Sequence, residues 1–428
     1  MTWPRIARLM QEDGLYVLFV LLPFSKASVE IAFGVMFCGW VLERLHPTTR
    51  RDTLWLQPRL RSLALAVVGF LVACALSVAV SDVPRLSLRA FFSKWMEYVL
   101  FFVIAADVCR RPGVAGRCLW ALLLGSAAVV LEGVWQERTG YGLLRGYRLD
   151  FFRRMTGPYE NPIDLATYLM VVVPPMMLWA IAGRTRGRWL RWGWLLVLML
   201  CLGRAGSVGA WLGLGFGVLV VGLRSAAIRR ISLLVLLVAL VIGGAFLLRT
   251  GRLSTVTSLS DIGKRDRVSM WLSAVAMVQD RPLFGHGLNT FMAIYLDYWV
   301  GGEFQPRYAH NCYLQIAAET GLVGLGAFLA FLWQLFTICG ARAPTSSTRM
   351  EALFLTGLFG SLAAFAAHAA IDTDFYALRQ AALFWTLAGL AVGWRHCCES
   401  RSGPGASDGA SRPLAEPAFA AAASGSHV

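Results

Sequence analysis

Long apolar runs recur along the whole chain, and they restrict the folds that it can adopt. A helix needs about 20 predominantly apolar residues to cross the hydrocarbon core of a bilayer. Of the 428 residues, 57% are hydrophobic and only 15% are charged, whereas about a quarter of the residues in a soluble domain are charged. The sequence therefore predicts an all-α polytopic membrane protein.

Polar and helix-breaking residues divide the apolar runs into about twelve predicted transmembrane helices. The first run, Gly14 to Phe24, leads directly into the second without a small-residue cleavage site, so we do not expect a removable signal peptide. The predicted spans are 14–24, 27–44, 61–81, 87–108, 115–136, 163–183, 189–203, 207–223, 231–248, 311–339, 350–370 and 377–394.

The positive charges predict the orientation of the helices. The chain carries 40 lysines and arginines against 25 acidic residues, and its arginines lie in short loops, which argues against a nucleic-acid partner. With the N-terminus in the cytoplasm, every short cytoplasmic loop is basic, as the positive-inside bias requires. An even number of spans returns the C-terminus to the cytoplasm, where residues 395–428 are predicted to form a disordered tail.

Two outer loops break this bias, which points to an anionic ligand on that face. Long translocated loops can ignore the charge rule, and this explains the loop 249–310 but not the shorter loop 137–162. Arg204 lies at a third outer turn. The basic residues of the two loops are Arg138, Arg145, Arg148, Arg153 and Arg154, and then Arg249, Arg252, Lys264, Arg265, Arg267, Arg281 and Arg307.

The preference for arginine over lysine in these loops indicates which anion binds. The planar guanidinium donates two parallel hydrogen bonds to phosphate oxygens and stays charged near lipid. The sequence has no GxxxxGK[ST] loop for a nucleotide. A lipid-linked phosphate or pyrophosphate satisfies both observations, because its tail would lie between helices while its head group meets the arginines.

The outer loop 249–310 is predicted to form a lid over a cavity between the spans. We expect Asp266 to cap a first helix and Pro282 to end it, and we expect a second short helix around Leu288–Tyr298. The loop separates the helices of residues 1–248 from those of residues 311–394. The apolar residues that predict the first helix, spaced by three and four, are Val268, Trp271, Leu272, Val275 and Val278.

His310 directly precedes an apolar span in "RYAHNCYLQIAAETGLVGLGAFLAF" and is the candidate general base. A histidine at a helix start is often only a capping residue. However, imidazole has an ordinary pKa of about 6.5, which suits a proton acceptor at neutral pH. A sugar hydroxyl that attacks an anomeric carbon needs such an acceptor, and a leaving pyrophosphate needs positive charge.

Other ionisable residues are assigned different roles. Glu319 should face away from His310 on the same helix, as a packing or network residue, and His368 is either an interhelical hydrogen-bond partner or part of the site. The nine cysteines show neither a disulfide framework nor metal-ligand spacing, so we expect no metal and no cofactor. The carboxylate pairs that a metal would need are Asp261 with Asp266, Asp297 with Glu303, and Asp372 with Asp374.

Four motifs, in their order and spacing, resemble the O-antigen ligase and polymerase superfamily. They cover most of the chain. They are "RRMTGPYENPIDLATYL" (Arg153 to Leu169), "SVGAWLG" (Ser207 to Gly213), "RVSMW" with "DRPLFGHGLNTF" (within Arg267 to Phe291) and "HNCYLQIAAETGLVG" (His310 to Gly324).

The resemblance implies a GT-C-like, metal-independent, inverting glycosyltransferase of the bacterial inner membrane. Its donor would be a polysaccharide on undecaprenyl pyrophosphate, and its acceptor would be the lipid A core on the periplasmic face. His310 would activate the acceptor hydroxyl, while Arg154 and Arg267 would bind the donor pyrophosphate. Further candidates for the pyrophosphate are Arg153, Arg204 and Arg265, and secondary site candidates are Tyr308, Asn311, Asn161 and Glu319.

The chain departs from the superfamily at one position, and other functions stay open. The arginine that should follow Ser207 is replaced by Val208, and Arg204 lies one helical turn earlier, where it could supply the missing guanidinium. An O-antigen polymerase and a protein O-oligosaccharyltransferase are alternatives within the superfamily. A transporter or flippase for a lipid-linked substrate is an alternative of another class, although the sequence shows no repeat of two six-helix halves.

Overall fold

The computed structural model describes residues 3–46, 54–150, 152–182, 187–224, 226–249, 262–301, 305 and 307–401. The regular elements in these ranges are helices, and an isolated β-bridge joins Tyr141 to Arg148. The predicted all-α class is therefore confirmed.

The helices are numbered here in chain order. A π-helical turn, Phe91–Met96, joins α4 to α5, so that these elements run as one helix. Short 3-10 turns lie at Leu54–Leu56, Tyr295–Tyr298 and Asp374–Tyr376. The helices are α1 (Trp3–Leu21), α2 (Lys26–Leu45), α3 (Pro58–Ala79), α4 (Pro84–Ala90), α5 (Glu97–Cys109), α6 (Val114–Thr139), α7 (Pro162–Ala182), α8 (Arg188–Ala205), α9 (Val208–Gly222), α10 (Ala226–Arg249), α11 (Ile262–Asp280), α12 (Phe291–Ile294), α13 (Cys312–Gly340), α14 (Arg349–His368) and α15 (Leu378–Ser400).

Each predicted span corresponds to one of these helices or to the continuous run from α4 to α5, and several of them can cross a bilayer. α9 is apolar but shorter than a full span. This pattern supports a multi-pass membrane protein. Six helices within the described ranges combine the length and the apolar composition of a membrane span, namely Pro58–Ala79, Val114–Thr139, Pro162–Ala182, Ile228–Ala245, Cys312–Gly340 and Arg349–His368.

Two predicted boundaries are wrong, because polar contacts extend these helices beyond their apolar runs. The first helix begins at Trp3 rather than at residue 14, and its Arg8 pairs with Glu43 of α2 at 3.1 Å. The last helix continues to Ser400 rather than ending at residue 394, because Arg395 donates hydrogen bonds to two carbonyl groups that follow α13. The rest of the predicted tail, from residue 402 onward, lies outside the described residues.

Small residues allow α14 and α15 to pack closely inside the bundle. A Cβ on Gly217 of α9 would overlap the carbonyl oxygen of Gly360 in α14, and one on Gly389 of α15 would overlap that of Phe102 in α5. Such close backbone approach is common between membrane helices. Because α15 is buried along most of its length, the loop 369–377 that precedes it is held inside one end of the bundle.

The helix directions bring several chain segments to that same end, which we call the His310 end. The loop 369–377 contacts the start of α7 through Thr167, the start of α9 through Gly209 and the start of α13 through Cys312. α14 and α15 have their other termini, near Arg349 and Arg401, at the opposite end, which we call the Arg401 end.

Candidate active site

His310 lies directly before α13, where the backbone turns sharply. Its φ of 47° falls in the left-handed region, which residues other than glycine rarely adopt. Asn311 caps the helix, because its side-chain oxygen accepts hydrogen bonds from the backbone N–H groups of Tyr313 and Leu314 at 3.0 and 3.1 Å. Since Asn311 provides the cap, the imidazole of His310 is not needed for it.

His310 pairs with Asp372 of the loop 369–377. Nδ1 of His310 lies 3.4 Å from Oδ1 of Asp372, and the imidazole is 35% exposed while the carboxylate is 11% exposed. A carboxylate beside one ring nitrogen favours the tautomer with its proton on Nδ1, which leaves Nε2 to accept a proton. Asp372, considered above only as half of a carboxylate pair with Asp374, is thus the partner of the candidate base.

Cys312 fastens the start of α13 to the loop that carries Asp372. Its backbone N–H donates to the carbonyl of Ala369 at 2.8 Å, and its Sγ donates to the carbonyl of Asp372 at 3.1 Å. The backbone N–H of Phe375 lies 3.4 Å from the same sulfur. These contacts hold the backbone of the loop 369–377 beside Cys312, which lies two positions after His310. They therefore limit how far the side chains of His310 and Asp372 can separate.

The two carboxyl groups of the loop 369–377, Asp372 and Asp374, have pKa values that are shifted in opposite directions. Burial raises the pKa of Asp372, but the hydrogen bond to His310 and the interactions with His368 and His310 outweigh burial and hold this pKa below its ordinary value. Oδ1 of Asp372 also accepts a hydrogen bond from the backbone N–H of Thr373 at 2.7 Å. In Asp374 burial dominates and raises the pKa. Asp372 is therefore the carboxylate that remains ionised beside His310.

A second histidine–aspartate pair lies beside the first. Nδ1 of His368, at the end of α14, is 2.7 Å from Oδ2 of Asp374, and both side chains are buried. Thr167 of α7 donates a hydrogen bond to Oδ1 of Asp374 at 3.3 Å. A Cβ on Gly209 of α9 would lie 3.1 Å from Nε2 of His368. Oγ1 of Thr167 also lies 3.5 Å from Nδ1 of His368, which is an interhelical contact, and the pair lies next to the candidate site.

Near the start of the segment that leads to α7, Asp150 contacts Arg154, while the preceding residue, Arg153, is exposed. Nε of Arg154 lies 2.5 Å from Oδ2 of Asp150, and the backbone N–H of Arg154 donates to the same carboxylate at 2.6 Å. Arg153 has a φ of 56° and is exposed. The turn 150–154 thus fixes one guanidinium and presents the other to the surface of the His310 end.

Arg204 forms a paired contact with Glu137. Its Nε and Nη2 lie 2.9 and 2.8 Å from the two carboxylate oxygens, and its carbonyl accepts a hydrogen bond from the backbone N–H of Met155 at 3.0 Å. The guanidinium that could compensate for Val208 therefore pairs with Glu137, and Arg204 joins the end of α8 to the loop 137–162.

Arg267 of α11 is close enough to the histidine–aspartate pairs to affect them. It is partly buried and interacts electrostatically with His368. The side chain of Arg265, although its backbone belongs to α11, lies outside the described part of the chain, as do the whole of Asp261 and Glu303. The His310 end thus combines an accessible imidazole, an ionised carboxylate and a nearby guanidinium.

The candidate base and three of the candidate arginines, Arg204, Arg265 and Arg267, fall within one continuous segment of the sequence. The family model described as O-Antigen ligase matches residues 193–329. The match bears out the resemblance to the O-antigen ligase and polymerase superfamily. No curated protein matches the chain. We call residues 193–329 the O-antigen ligase segment; it contains Arg204, Arg267 and His310.

Within the O-antigen ligase segment, the motif "GHG" fixes the outer loop on the bundle. Nδ1 of His286 lies 2.6 Å from Oδ2 of Asp82, between α3 and α4, and its Nε2 lies 3.1 Å from the carbonyl oxygen of Met277. Arg281 pairs with the same aspartate at 2.7 Å. His286 is 1% exposed and engaged at both nitrogens, so it has a structural role, whereas His310 is partly exposed.

The helices within residues 249–310 differ from the prediction in their boundaries. α11 begins at Ile262, so Asp266 lies inside the helix rather than at its cap. The end at Asp280, before Pro282, is as expected. The predicted second helix is reduced to a single helical turn, α12, followed by a 3-10 turn.

The buried face of α11 also differs from the prediction. Three of the apolar residues that predicted the helix, Val268, Leu272 and Val275, are exposed. The helix packs instead through small or flexible side chains, which allow a close approach to α13. These buried residues are Met270, Ser273, Ala274 and Met277.

Glu319 is part of a buried polar network, as expected, but its partners were not predicted. Its carboxylate accepts hydrogen bonds from the backbone N–H of Asn289 at 2.7 Å, from Gln315 at 3.2 Å and from the hydroxyl of Tyr376 at 3.1 Å. Lys94, in the π-helical turn, interacts electrostatically with Glu319. A lysine inside the fourth predicted span was the sequence signal for this network.

Tyr308 connects this network to the residues that precede His310. Its ring packs 6.1 Å from the ring of Tyr376, whose hydroxyl donates to Glu319. Burial raises the pKa of the Tyr308 hydroxyl. This secondary candidate therefore has a packing contact that places it between the polar network and the candidate base.

The two asparagine candidates have local structural roles. The side-chain oxygen of Asn161 accepts a hydrogen bond from the backbone N–H of Ile163 at 2.9 Å, at the start of α7. Asn311 is the cap of α13. Both side chains thus organise the start of a helix at the His310 end.

Proposed function

We propose that the protein is an O-antigen ligase of the bacterial inner membrane. It transfers a polysaccharide from undecaprenyl pyrophosphate to a sugar of the lipid A core at the periplasmic face. The observation that carries this proposal is the pairing of His310 with Asp372 at the start of α13, with His310 inside the O-antigen ligase segment. A polymerase of the same superfamily would use the same pair with a second lipid-linked glycan as its acceptor.

His310 acts as the general base in the proposed reaction. Its Nε2 takes the proton of the acceptor hydroxyl while the hydroxyl oxygen attacks the anomeric carbon of the donor. The new glycosidic C–O bond forms as the bond between the anomeric carbon and the pyrophosphate oxygen breaks, and undecaprenyl pyrophosphate leaves with the bonding electrons. Asp372 holds the imidazole and stabilises its protonated form. Attack from the face opposite the leaving group inverts the anomeric centre.

The arginines of the His310 end supply positive charge for the departing pyrophosphate. Arg267 interacts with His368, and we assign Arg154, which contacts Asp150 through Nε, and the exposed Arg153 to the same pyrophosphate. Guanidinium groups stabilise charge that develops on phosphate oxygens. The proposed inversion requires these groups to bind the leaving group on the side of the anomeric carbon opposite the base.

Two further arginines take different parts in this proposal. Arg265 remains a further candidate for the pyrophosphate from the sequence, and its side chain lies outside the described part of the chain. Arg204 contacts Glu137 through both Nε and Nη2 and positions the loop 137–162 in this proposal.

The His310 end faces the periplasm in this proposal, and both chain termini lie in the cytoplasm. The bias of positive charge toward the cytoplasm supports this orientation. The basic residues at the Arg401 end include Arg8, Arg44, Arg111, Arg117, Arg349 and Arg401.

Reconstitution with defined substrates tests the proposal. The purified full chain would be mixed with lipid-linked O-antigen and lipid A core without added metal, and the anomeric configuration of the product would be determined by NMR. We expect ligated product of inverted configuration, and we expect EDTA to leave the rate unchanged. Retention of configuration, or product only with a second lipid-linked glycan as acceptor, would contradict the ligase assignment.

A further inference from the structure

A lateral cavity of about 200 Å³ lies at the Arg401 end, away from His310. Its lining residues come from the first half of α6, the second half of α7, the start of α14 and the end of α15. The cavity therefore lies between helices whose opposite ends are at the His310 end, away from the candidate active site.

The walls of this cavity are apolar and reach the outside of the bundle. Leu119 and Trp120 of α6, Met176 and Trp179 of α7 and Phe354 of α14 line it. Trp120 is 54% exposed, and its ring meets that of Trp179 edge to face at 5.9 Å. An acyl chain of the surrounding bilayer can enter such an opening without losing contact with apolar surface.

Two guanidinium groups lie at the polar side of the cavity. Arg401 pairs with Glu351 at 2.6 Å, and Arg111 pairs with Glu43 at 2.6 Å and with Glu12 at 3.2 Å. Each guanidinium carries five N–H donors, so these contacts do not exhaust its capacity for hydrogen bonds. Both arginines line the cavity directly.

The charged side chains that line the cavity carry a net positive charge. Arg111 and Arg401 line it together with Glu351. Basic sites between transmembrane helices on the cytoplasmic side are suited to anionic lipid head groups. Arg110, Arg117 and Arg349 are direct chain neighbours of lining residues or of Arg111.

We propose that this cavity binds an anionic glycerophospholipid of the adjacent leaflet. Its phosphate meets Arg111 and Arg401, and one acyl chain lies against Trp120, Met176 and Trp179. A free phosphate ion would gain nothing from the apolar walls. A transmembrane helix of another protein, about 10 Å across, is larger than a cavity of about 200 Å³ can hold.

Lipid binding to the purified full chain tests this inference. Dioleoylphosphatidylglycerol or dioleoylphosphatidylcholine would be added in mixed micelles, and bound lipid would be counted by native mass spectrometry. A third sample would receive inorganic phosphate alone, and its thermal stability would be compared with that of the lipid samples. We expect phosphatidylglycerol to bind at least tenfold more tightly than phosphatidylcholine, and we expect no stabilisation by inorganic phosphate.

Two variants separate the charge of the site from its shape. Arg401→Gln removes a cation, whereas Gly116→Leu fills the cavity, since a Cβ at Gly116 meets nothing within 4 Å. Each should weaken phosphatidylglycerol binding about tenfold. The matched control is Gly69→Leu on α3, where a Cβ also meets nothing within 4 Å.

The outcomes decide the inference independently of the proposed function, because binding is measured without glycan substrates. Equal binding of the two lipids, or unchanged binding in Gly116→Leu, would overturn the lipid site. If inorganic phosphate alone stabilised the protein as much as phosphatidylglycerol, the site would be an anion site without a lipid component, which also contradicts the proposal.

Discussion

Lys94 donates a hydrogen bond from Nζ to Oδ1 of Asn289 at 2.5 Å. The backbone N–H of Asn289 donates in turn to the carboxylate of Glu319 at 2.7 Å. A residue of the outer loop therefore bridges a lysine of the π-helical turn and a fully buried glutamate of α13. This bridge holds the O-antigen ligase segment on the rest of the bundle.

Replacing Lys94 with methionine should destabilise the protein. The substitution keeps the apolar stem but removes the cation that interacts with the buried carboxylate of Glu319. Removing one partner of a buried ion pair costs about 3–5 kcal/mol, and we expect a smaller loss of about 2 kcal/mol here because Asn289 lies between the two groups. Chemical unfolding in detergent measures this loss.

A double variant shows whether the two charges act together. Lys94→Met/Glu319→Gln removes both charges, so it should recover part of the stability that Lys94→Met loses. If the effects of the two substitutions were fully additive, Lys94 and Glu319 would not be coupled.

Substitution of Gly321 by alanine should disrupt the contact between the outer loop and α13. Gly321 has a φ of 69°, and a Cβ there would overlap the carbonyl oxygen of Leu283. We expect a loss of about 2 kcal/mol or more in the free energy of unfolding. Gly326→Ala on the same helix is the control; a Cβ there meets nothing within 4 Å, so it should be neutral or slightly stabilising. Equal effects of the two variants would contradict this account.

Asp372→Asn should lower the turnover number more than it changes the KM for the acceptor. Without the carboxylate, Nδ1 of His310 loses the partner that favours its protonation, and a positioned general base contributes about 100-fold or more to a rate. Initial rates of ligation measure the effect. A variant with unchanged turnover would show that Asp372 does not orient the base.

The contribution of Asp372 to stability should depend on pH. Because its pKa in the folded protein lies below its ordinary value, its contribution is fully present above the unfolded pKa of about 3.9 and is lost as the pH falls through the folded pKa. The difference in Tm between the wild type and Asp372→Asn should therefore narrow below about pH 4. A difference that grew on acidification would be inconsistent with the direction of the pKa shift.

The sequence predicted the helices because they depend on local patterns, and it placed His310 at the start of a helix for the same reason. Apolar runs determine spans such as Pro162–Ala182, and the position of His310 before α13 follows directly from its neighbours in the chain. The partner of His310 could not be predicted in this way. Asp372 lies far along the chain from it, and only the packing of α14 and α15 brings the two together.

The roles of the arginines were harder to predict for the same reason. Arg204 and Arg154 have the residue type that a pyrophosphate needs, but carboxylates at Glu137 and Asp150 bind their guanidinium groups in the folded chain. Sequence spacing indicates which helix face an arginine occupies, and it does not indicate which counter-charge another segment brings to it.

The most direct test of the account is a single-turnover ligation assay of His310→Ala at saturating lipid-linked donor, with donor binding measured on the same sample. His396→Ala, at the Arg401 end, is the matched control. The account predicts that His310→Ala binds the donor normally and forms product at least about 100-fold more slowly, while His396→Ala retains the wild-type rate. Near-normal product formation by His310→Ala would contradict the central claim that this imidazole is the general base.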